Sequence, residues 1–365
     1  MFAWNICIDL KHGFSLMLPM VRDPRINFLV LYGFKMIKIC LTFITTIFLS
    51  TSAFSQWKPN KPINIIVPWA AGGVTDQMIR VTAGDLEAEL GQKIVVLNQP
   101  GASGSIGTKN ALEAAKDGYT WTSGAPKDLG SYKIMGMLDT TLQDWNLYLH
   151  LAVPSIISVP ASSPYKDMKA LLDAIKARPS QISIATAGVN SSGHTAAEQM
   201  SASSGLKYKH VTYDGGNPAV IATVAGETDV TTQLSTEQSE MIKGKRLRPL
   251  AVVGDKPIEI EGYGKIPPLS DFIPGFKVPV SYFGIFIPKG VPPEVITTLD
   301  KIWADKIAKS EVIKKYATSR GALMVVSSGA EAQKISMPAV ADAAWQKFDA
   351  GQAKISPATV GIPRP

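Results

Sequence analysis

Cysteine is nearly absent from this 365-residue chain, and histidine is scarce. The sequence holds two cysteines, Cys7 and Cys40, and four histidines. Both cysteines lie within the first 55 residues, so the rest of the chain offers no thiol for a disulfide or for thiol chemistry. His150, His194 and His210 show no metal-ligand spacing with each other or with pairs of acidic residues. We therefore expect no metal site, no disulfide and no cysteine nucleophile.

Long apolar stretches are also missing, except near the N-terminus. Lys38 is followed by the apolar stretch 39–49 and then by the small-x-small triplet AFS, which is typical of a cleavage site. The stretch is short for a bilayer span, which favours a signal peptide over an uncleaved membrane anchor. We predict that this peptide starts at Met36 and is cut before Gln56. Residues 1–55 would then be removed, as an over-extended gene start plus a signal peptide.

Charge of one sign is not strongly concentrated in the chain. The sequence has 37 basic and 30 acidic residues, of which five and two lie in residues 1–55, leaving 32 against 28. A mild positive excess suits an anionic ligand but does not favour nucleic acid. The one basic cluster, KGKRLR at 243–248, is interpreted as a solvated turn and the start of a strand.

Apolar strands alternate with amphipathic helices after residue 56. The stretch INIIVPW (63–69) is almost continuously apolar, which is typical of a parallel strand buried on both faces. Further strands are predicted at 93–98 and 118–124, and the helix between the first two strands should end at Gly91. This alternation predicts an α/β domain.

The same alternation restarts in the second half of the chain. Strands are predicted at 181–188 and 207–216. A helix is expected to begin near His194. Another is expected to be capped by Asn217, with Pro218 at its first position and Gly226 at its end. The restart predicts a second α/β domain.

Together the patterns predict a two-domain α/β protein in which each domain has a central, mostly parallel sheet flanked by helices. We expect residues 57–157 and 280–365 to form the first domain and residues 158–279 to form the second. Two crossings between the domains would leave a cleft, which is where ligands usually bind.

The glycines of the segment QPGASGSIG resemble a dinucleotide-binding loop only superficially. Gly101, Gly104 and Gly107 have the spacing G-x-x-G-x-x-G, whereas a dinucleotide loop has G-x-G-x-x-G. The next strand ends in TSG, and no carboxylate for a ribose follows until Asp128. We therefore expect no nucleotide cofactor.

Nucleophilic catalysis has weak support in the sequence. His194 lies near Ser191 and Ser192, but the G-x-S-x-G nucleophile elbow does not occur. A secreted serine hydrolase that uses His194 remains the alternative from another functional class. Esterase activity that is lost in His194→Ala would support it.

Two glycine- or serine-rich loops at strand ends carry the strongest functional signal. AAGGVTD (70–76) and AGVNSSGH (187–194) each open a helix, one in each predicted domain, and neither contains lysine or arginine. The first N–H groups of a helix form an anion site that glycine lets a carboxylate approach. A pair of such loops facing one cleft could hold a small carboxylate without a basic side chain.

Several separated motifs resemble one known family. KPINIIVPWAAGGVTDQMIR, NQPGASGSIG, DGYTW, AGVNSSGH, VTYDGG and VAGETDV occur in the order expected of it. From about residue 57 to the C-terminus the chain resembles the substrate-binding proteins of tripartite tricarboxylate transporters, also called the Bug family of periplasmic binding proteins. The resemblance implies a two-domain clamshell that closes on a small organic anion and delivers it to a membrane permease.

The resemblance also implies which residues grip the ligand, largely through backbone amides and hydroxyls. In the first loop they are Trp69, Ala71, Gly72, Gly73, Thr75 and Asp76; in the second they are Thr186, Gly188, Ser191, Ser192 and His194; in the following turn they are Tyr213, Asp214 and Gly215. We accordingly expect a non-enzymatic, monomeric periplasmic protein with no cofactor. Its partners would be a small carboxylate and a permease, with a sensor role as the alternative to transport.

Two departures from the family pattern bear on the ligand. Ala70 and Ala71 stand where the family commonly has prolines, and Asp214 stands where the family usually has lysine. A carboxylate in place of that lysine argues against a di- or tricarboxylate. The resulting hypothesis is a monocarboxylate, or an acid that carries a hydrogen-bond donor for Asp214.

Overall fold

The computed structural model describes residues 5–10, 14–19 and 56–365. Strands β1 (Asn5–Leu10) and β2 (Phe14–Pro19) form an antiparallel hairpin. Gln56–Pro365 form a separate compact unit. The predicted signal peptide at 36–55 lies outside the described residues.

The unit 56–365 alternates strands and helices as the sequence predicts. Its strands are β3 (Ile63–Val67), β4 (Ile94–Asn98), β5 (Thr120–Gly124), β6 (Trp145–Ala152), β7 (Ile156–Pro160), β8 (Ser183–Thr186), β9 (Lys209–Thr212), β10 (Val230–Thr231), β11 (Leu247–Val252), β12 (Ile258–Ile260), β13 (Gly264–Ile266), β14 (Tyr282–Pro288) and β15 (Leu323–Ser328). Its helices are α1 (Val74–Leu90), α2 (Ser105–Glu113), α3 (Pro126–Met135), α4 (Met168–Ala177), α5 (Ser192–Ser204), α6 (Gly216–Ala225), α7 (Ser235–Lys243), α8 (Pro293–Asp305), α9 (Glu311–Thr318) and α10 (Gly329–Asp349).

The strands build two main sheets, which confirms the α/β class with two sheets flanked by helices. The first has the order β15-β6-β14-β5-β3-β4 and the second the order β11-β7-β10-β8-β9. β3 pairs in parallel with β4 and β5, and β8 pairs in parallel with β9 and β10. The remaining pairings in both sheets are antiparallel, so the expectation of mostly parallel sheets is wrong. An apolar pattern indicates burial on both faces, but it does not fix the direction in which a returning strand enters the sheet.

The chain passes between the two sheets twice. It leaves the six-stranded sheet after β6 and returns to it at β14. These crossings lie near the predicted domain boundaries at 157 and 280. The division into two domains remains our proposal.

Large aromatic side chains in the core of the six-stranded sheet keep their polar atoms bonded. Trp121, Trp145 and Trp303 are almost completely buried. The indole N–H of Trp303 donates to the Leu149 carbonyl at 2.8 Å, and that of Trp121 donates to the Gly118 carbonyl at 2.8 Å. Burial of such a ring stabilises the fold by roughly several kcal/mol, and the bonded N–H avoids the cost of burying an unpaired donor.

Two helix starts differ from the sequence predictions by one or two residues. Helix α5 begins at Ser192, with Ser191 as its cap, rather than at His194. Helix α6 begins at Gly216 with Gly215 as its cap, so Asn217 lies inside the helix and is not its cap. The tight approach of Gly215 to a neighbouring loop, described below, explains why the helix starts on glycines.

Other helix ends were predicted correctly. Helix α1 ends at Gly91, which adopts the left-handed conformation at φ 66°, and helix α6 ends at Gly226 at φ 82°. Glycine takes this conformation without the steric cost that a Cβ would add. In the part of the chain that the structure describes, no helix combines the length and the apolar character needed to cross a membrane.

Candidate ligand-binding cleft

Loops from the two sheets meet at the candidate site. The Ala70 N–H, in the loop after β3, donates to the carbonyl of Asp214, in the turn after β9, at 3.2 Å. A Cβ placed on Gly215 would lie 2.8 Å from the Ala70 Cβ, and one on Gly188 would lie 2.6 Å from Ser103 Oγ. Glycine is therefore required at these contacts between the two sheets.

Asp76 is engaged within its own loop. Its Oδ2 accepts the Gly72 N–H at 2.9 Å, and its Oδ1 lies 2.9 Å from the Arg80 guanidinium. Burial acts to raise the pKa of Asp76, but the hydrogen bonds from Arg80 and Gly72 outweigh it and hold this pKa below its ordinary value. Asp76 therefore shapes the first loop as an ionised group, and the Gly72 N–H is not available to a ligand.

The second loop is held in place by its own hydroxyl groups. Ser191 Oγ caps helix α5 by accepting the His194 N–H at 3.2 Å, and Thr186 Oγ1 accepts the Gly188 N–H at 3.3 Å. The N–H groups of Ser192 and Gly193 lie in the first turn of α5, where intrahelical acceptors are lacking. They are the part of this loop that can bind an anion.

His194 lies in surroundings that do not suit a catalytic base. Its Nδ1 lies 2.8 Å from the Val189 carbonyl, and its ring stacks on His210 with centroids 4.2 Å apart. Burial, together with His210 and Lys347, lowers the pKa of His194 to about 3. Ser191 Oγ accepts a backbone N–H and is not bonded to the imidazole in the described part of the chain. The hydrolase alternative therefore has no assembled serine–histidine pair.

Two buried lysines that the sequence prediction missed contact the second loop. Lys127, on α3, donates to the Asn190 carbonyl at 2.9 Å and pairs with Asp128 at 2.5 Å. Lys347, on α10, donates to the Val189 carbonyl at 2.9 Å. Burial, reinforced by Lys127, lowers the pKa of Lys347 to about 8. Both lysines come from helices outside the two loops, and neither lines the two cavities described next.

A signal for Lys127 does exist in the sequence. It lies in the first turn of the helix that follows strand β5, and ligands of α/β proteins usually bind beyond the carboxyl ends of parallel strands. No comparable signal marks Lys347, which lies near the end of a long helix.

Two neighbouring cavities lie between the loops and share Trp69 and Ala187. The outer cavity, of about 510 Å³, is lined by Trp69, Gly101, Ser103, Ala187, Gly188, Val189, Thr212, Tyr213, Asp214 and Pro218. The inner cavity, of about 20 Å³, is lined by Trp69, Val74, Thr75, Asp128, Ala187, Ser191, Ser192, Gly216, Gln233, Leu234, Glu237 and Phe283. The outer one has the size of a small-molecule site, and the inner one has room for about one water.

The structure brings half of the predicted site residues to these cavities. Those that line them are Trp69, Thr75, Gly188, Ser191, Ser192, Tyr213 and Asp214. Those that do not are Ala71, Gly72, Gly73, Asp76, Thr186, His194 and Gly215. Gly101 and Ser103, from the glycine-rich segment that resembles a dinucleotide loop, form one wall of the outer cavity.

A larger cavity lies elsewhere in residues 56–365. It measures about 700 Å³ and is lined mainly by the segments that cross between the sheets, including 252–259 and 278–281. Ser192 is its only predicted site residue. We place the candidate site in the smaller pair of cavities, because helix starts converge there.

Within residues 56–365 no group of histidine and acidic side chains has a geometry that could hold a metal ion.

Comparisons with known proteins support a common origin for most of this chain. A family model described as "Tripartite tricarboxylate transporter family receptor" matches residues 78–337. A UPF0065 protein from the tcbD-tcbE intergenic region of Pseudomonas sp. (strain P51) is 31% identical over 263 residues, which span 70% of this chain and 76% of that protein. Protein BugT of Bordetella pertussis is 27% identical over 299 residues, which span 80% of this chain and 90% of that protein.

Solved structures share the same fold. One described as a periplasmic transporter has a TM-score of 0.71 and 26% identity, covering 82% of this chain and 99% of its own. Rpa4515 of R. palustris, solved with adipate, has a TM-score of 0.73 and 24% identity, covering 80% of this chain and 98% of its own.

Proposed function

Because the chain belongs to the tripartite tricarboxylate transporter receptor family, we propose that it captures a small organic carboxylate in the periplasm and delivers it to a membrane permease. The family relationship makes it a solute-binding protein and not an enzyme. We further propose that it works as a monomer and that its two sheets belong to two domains that close on the ligand.

The observation that carries this proposal is the convergence of helix starts from both sheets on one cavity. Val74 and Thr75 begin α1 on the six-stranded sheet, and Ser192 begins α5 on the five-stranded sheet, and all three line the inner cavity. Helix starts carry N–H groups without intrahelical acceptors and a partial positive charge. The Val74 N–H already donates to Glu237. A ligand carboxylate would therefore receive the Thr75 N–H from the six-stranded side and the Ser192 N–H from the five-stranded side, and would so favour the closed arrangement.

A thermal-shift screen against small acids tests this proposal. We choose hexanoate, adipate and malate as probes, with hexan-1-ol as the uncharged control. An acid present at 100 times its dissociation constant should stabilise the protein by about 2.7 kcal/mol, seen as a rise of several degrees in Tm. Ser192→Pro, which removes the N–H at the first position of α5 where proline is tolerated, should reduce the shift, whereas Glu311→Pro, at the same position of α9 and away from both cavities, should not. A protein that responds to none of the acids would contradict carboxylate capture.

Asp214 is proposed to select against a second carboxylate on the ligand. Asp214 is exposed at the turn after β9, and it lines the outer cavity next to Tyr213. A ligand carboxylate close to Asp214 would be repelled by roughly 1 kcal/mol at a partly solvated site, and a lysine there would attract it by about as much.

The test compares hexanoate with adipate, which differ only in the second carboxylate. In Asp214→Lys we expect the ratio of adipate affinity to hexanoate affinity to rise by about 30-fold, measured by calorimetry at low salt. Asp255→Lys, which makes the same charge change at an exposed residue away from these two cavities, is the control. An unchanged ratio in Asp214→Lys would rule out a selective role for Asp214.

A further inference from the structure

The carboxylate of Glu237 is buried and lies where the starts of α1 and α7 meet. It is the third residue of α7 and is 9% exposed. Its Oε1 accepts the Val74 N–H, at the start of α1, at 2.9 Å. Its Oε2 accepts the Leu234 N–H, at the start of α7, at 3.2 Å. This side chain therefore occupies the position in which the first loop would otherwise bind an external anion.

The surroundings are shaped to receive this carboxylate. A Cβ on Gly216, the first residue of α6, would lie 2.0 Å from Glu237 Oε1, and one on Gly73 would lie 3.2 Å from it. When the amide of Gln233 is oriented to satisfy both its ends, its nitrogen donates to Glu237 Oε2 at 3.0 Å and its oxygen accepts the Ala187 N–H at 2.8 Å. Groups from three loops thus enclose one side chain.

The charged groups that face this region are already engaged with other partners. Asp76 on α1 pairs with Arg80, and Asp128, which lines the same inner cavity from α3, pairs with Lys127.

On α9, the Tyr316 hydroxyl donates to Gln77 Oε1 at 3.0 Å. The described hydrogen bonds and ion pairs of Glu237 include no basic side chain. Burial raises the pKa of Glu237 to about 7, and the two backbone N–H groups offset this rise only in part.

We propose that Glu237 is a ligand-binding residue that contacts the captured anion in its neutral, protonated form, so that capture takes up one proton. The inference rests on the proposed function, because it requires that the carboxylate of the ligand reaches the inner cavity. That cavity adjoins the outer one and has room for about one water, so a ligand held in the outer cavity can place one carboxylate oxygen there, directly against Glu237. Two carboxylates this close in a dry site cannot both stay ionised, and they share a proton.

The consequence is a defined pH dependence of affinity. Well below pH 7 Glu237 is already protonated, and affinity should not change with pH. Above about pH 7 the proton must come from solvent, and affinity should fall by roughly tenfold per pH unit. Hexanoate is a suitable probe because it stays ionised above about pH 6.

Proton uptake can be measured directly by titration calorimetry at pH 8 in two buffers with different ionisation enthalpies. For wild type we expect uptake of nearly one proton per hexanoate bound, and for Glu237→Gln nearly none. Glu240→Gln, which neutralises a largely exposed carboxylate on the same helix, should behave as wild type. Hexanoate affinity should be nearly independent of pH between 6 and 8.5 only in Glu237→Gln.

The outcomes separate the inference from the function on which it rests. If wild type binds hexanoate without proton uptake, or if Glu237→Gln takes up as many protons as wild type, the inference is wrong and the proposed function stands. If wild type binds neither hexanoate, adipate nor malate at any pH from 5 to 8.5, both are wrong. Because the wild-type measurement alone can contradict the inference, a poorly folded variant would not protect it.

Discussion

Lys127→Met is expected to lower the free energy of unfolding by about 3–5 kcal/mol at pH 7. The Lys127 ammonium lies 2.5 Å from Asp128 Oδ1, and the two side chains are only 3% and 8% exposed. Methionine fills a similar volume but leaves the Asp128 carboxylate buried without its cation, and it leaves the Asn190 carbonyl without its donor. The loss of an ion-pair partner in the interior costs far more than the pair itself contributes.

A double variant separates the lost charge from the lost packing. Lys127→Met combined with Asp128→Asn removes both charges and should recover most of the stability, as measured by urea unfolding. The control is Lys133→Met, on the same helix as Lys127, which breaks an exposed ion pair with Asp139. It should lower the free energy of unfolding by less than about 1 kcal/mol. If the single and the double variant are equally stable, the buried charge is not the cause.

The loss of unfolding free energy in Lys127→Met should also depend on pH. Burial raises the pKa of Asp128 above its ordinary value even with Lys127 beside it. Without the lysine the carboxyl should protonate more readily still, and a neutral carboxyl needs no cation. The deficit should therefore shrink when unfolding is measured at pH 5 instead of pH 7.

Lys127 also connects elements of the two sheets. It lies at the start of α3, after strand β5 of the six-stranded sheet, and holds the loop that follows β8 of the five-stranded sheet. Lys347 makes the same kind of contact from α10 to the neighbouring carbonyl of Val189. We therefore expect Lys127→Met to weaken ligand capture as well as stability, since a loop that lines both cavities loses its support.

Local sequence patterns predicted the parts of the fold that depend on nearby residues. The apolar stretch 63–69 gave strand β3, and Gly91 and Gly226 ended their helices as expected. The helix-opening loops after β3 and β8 do meet at the cavities. These features follow from burial on both faces and from left-handed glycines, both of which are local properties.

The predictions that failed concern features that depend on residues far apart in the chain. Gly215 caps α6 and Gly216 begins it, at positions where a Cβ would lie 2.8 Å from the Ala70 Cβ and 2.0 Å from Glu237 Oε1, so glycine fits there, and Asn217 lies inside the helix. The polar segment STEQSEMIK, which forms α7, has the composition of a solvated helix, yet its Glu237 is buried. No periodicity within such a segment reveals which of its carboxylates will meet a helix start 163 residues earlier.

Wild type is expected to lose roughly 3 kcal/mol of unfolding free energy through Glu237 as the pH rises from about 4.5 to about 7, and Glu237→Gln is expected to abolish this loss. The pKa of Glu237 is raised in the folded protein to about 7 from the ordinary value of 4.5. Between these values the folded state holds a proton that the unfolded state releases. Stability therefore falls as the pH rises through this window, and the loss is complete above about pH 7. A difference of about 2.5 pKa units corresponds to roughly 3 kcal/mol.

Glutamine cannot ionise, so the variant escapes this loss. At pH 4.5 we expect it to be about 1 kcal/mol less stable than wild type, because its amide nitrogen meets one of the two backbone N–H donors of Val74 and Leu234. At pH 8 the order should reverse, and urea unfolding at several pH values would show the two stability curves crossing.

The comparison of variant with wild type isolates Glu237 from other buried acids. Burial also raises the pKa values of Asp128 and Asp342, so the wild-type curve alone contains several contributions with the same sign. These contributions are common to both proteins and cancel in the difference. Parallel curves for wild type and Glu237→Gln would mean that Glu237 is ionised in the folded protein throughout this range. The carboxylate at the helix starts would then be a permanent anion, which would exclude an anionic ligand from the inner cavity.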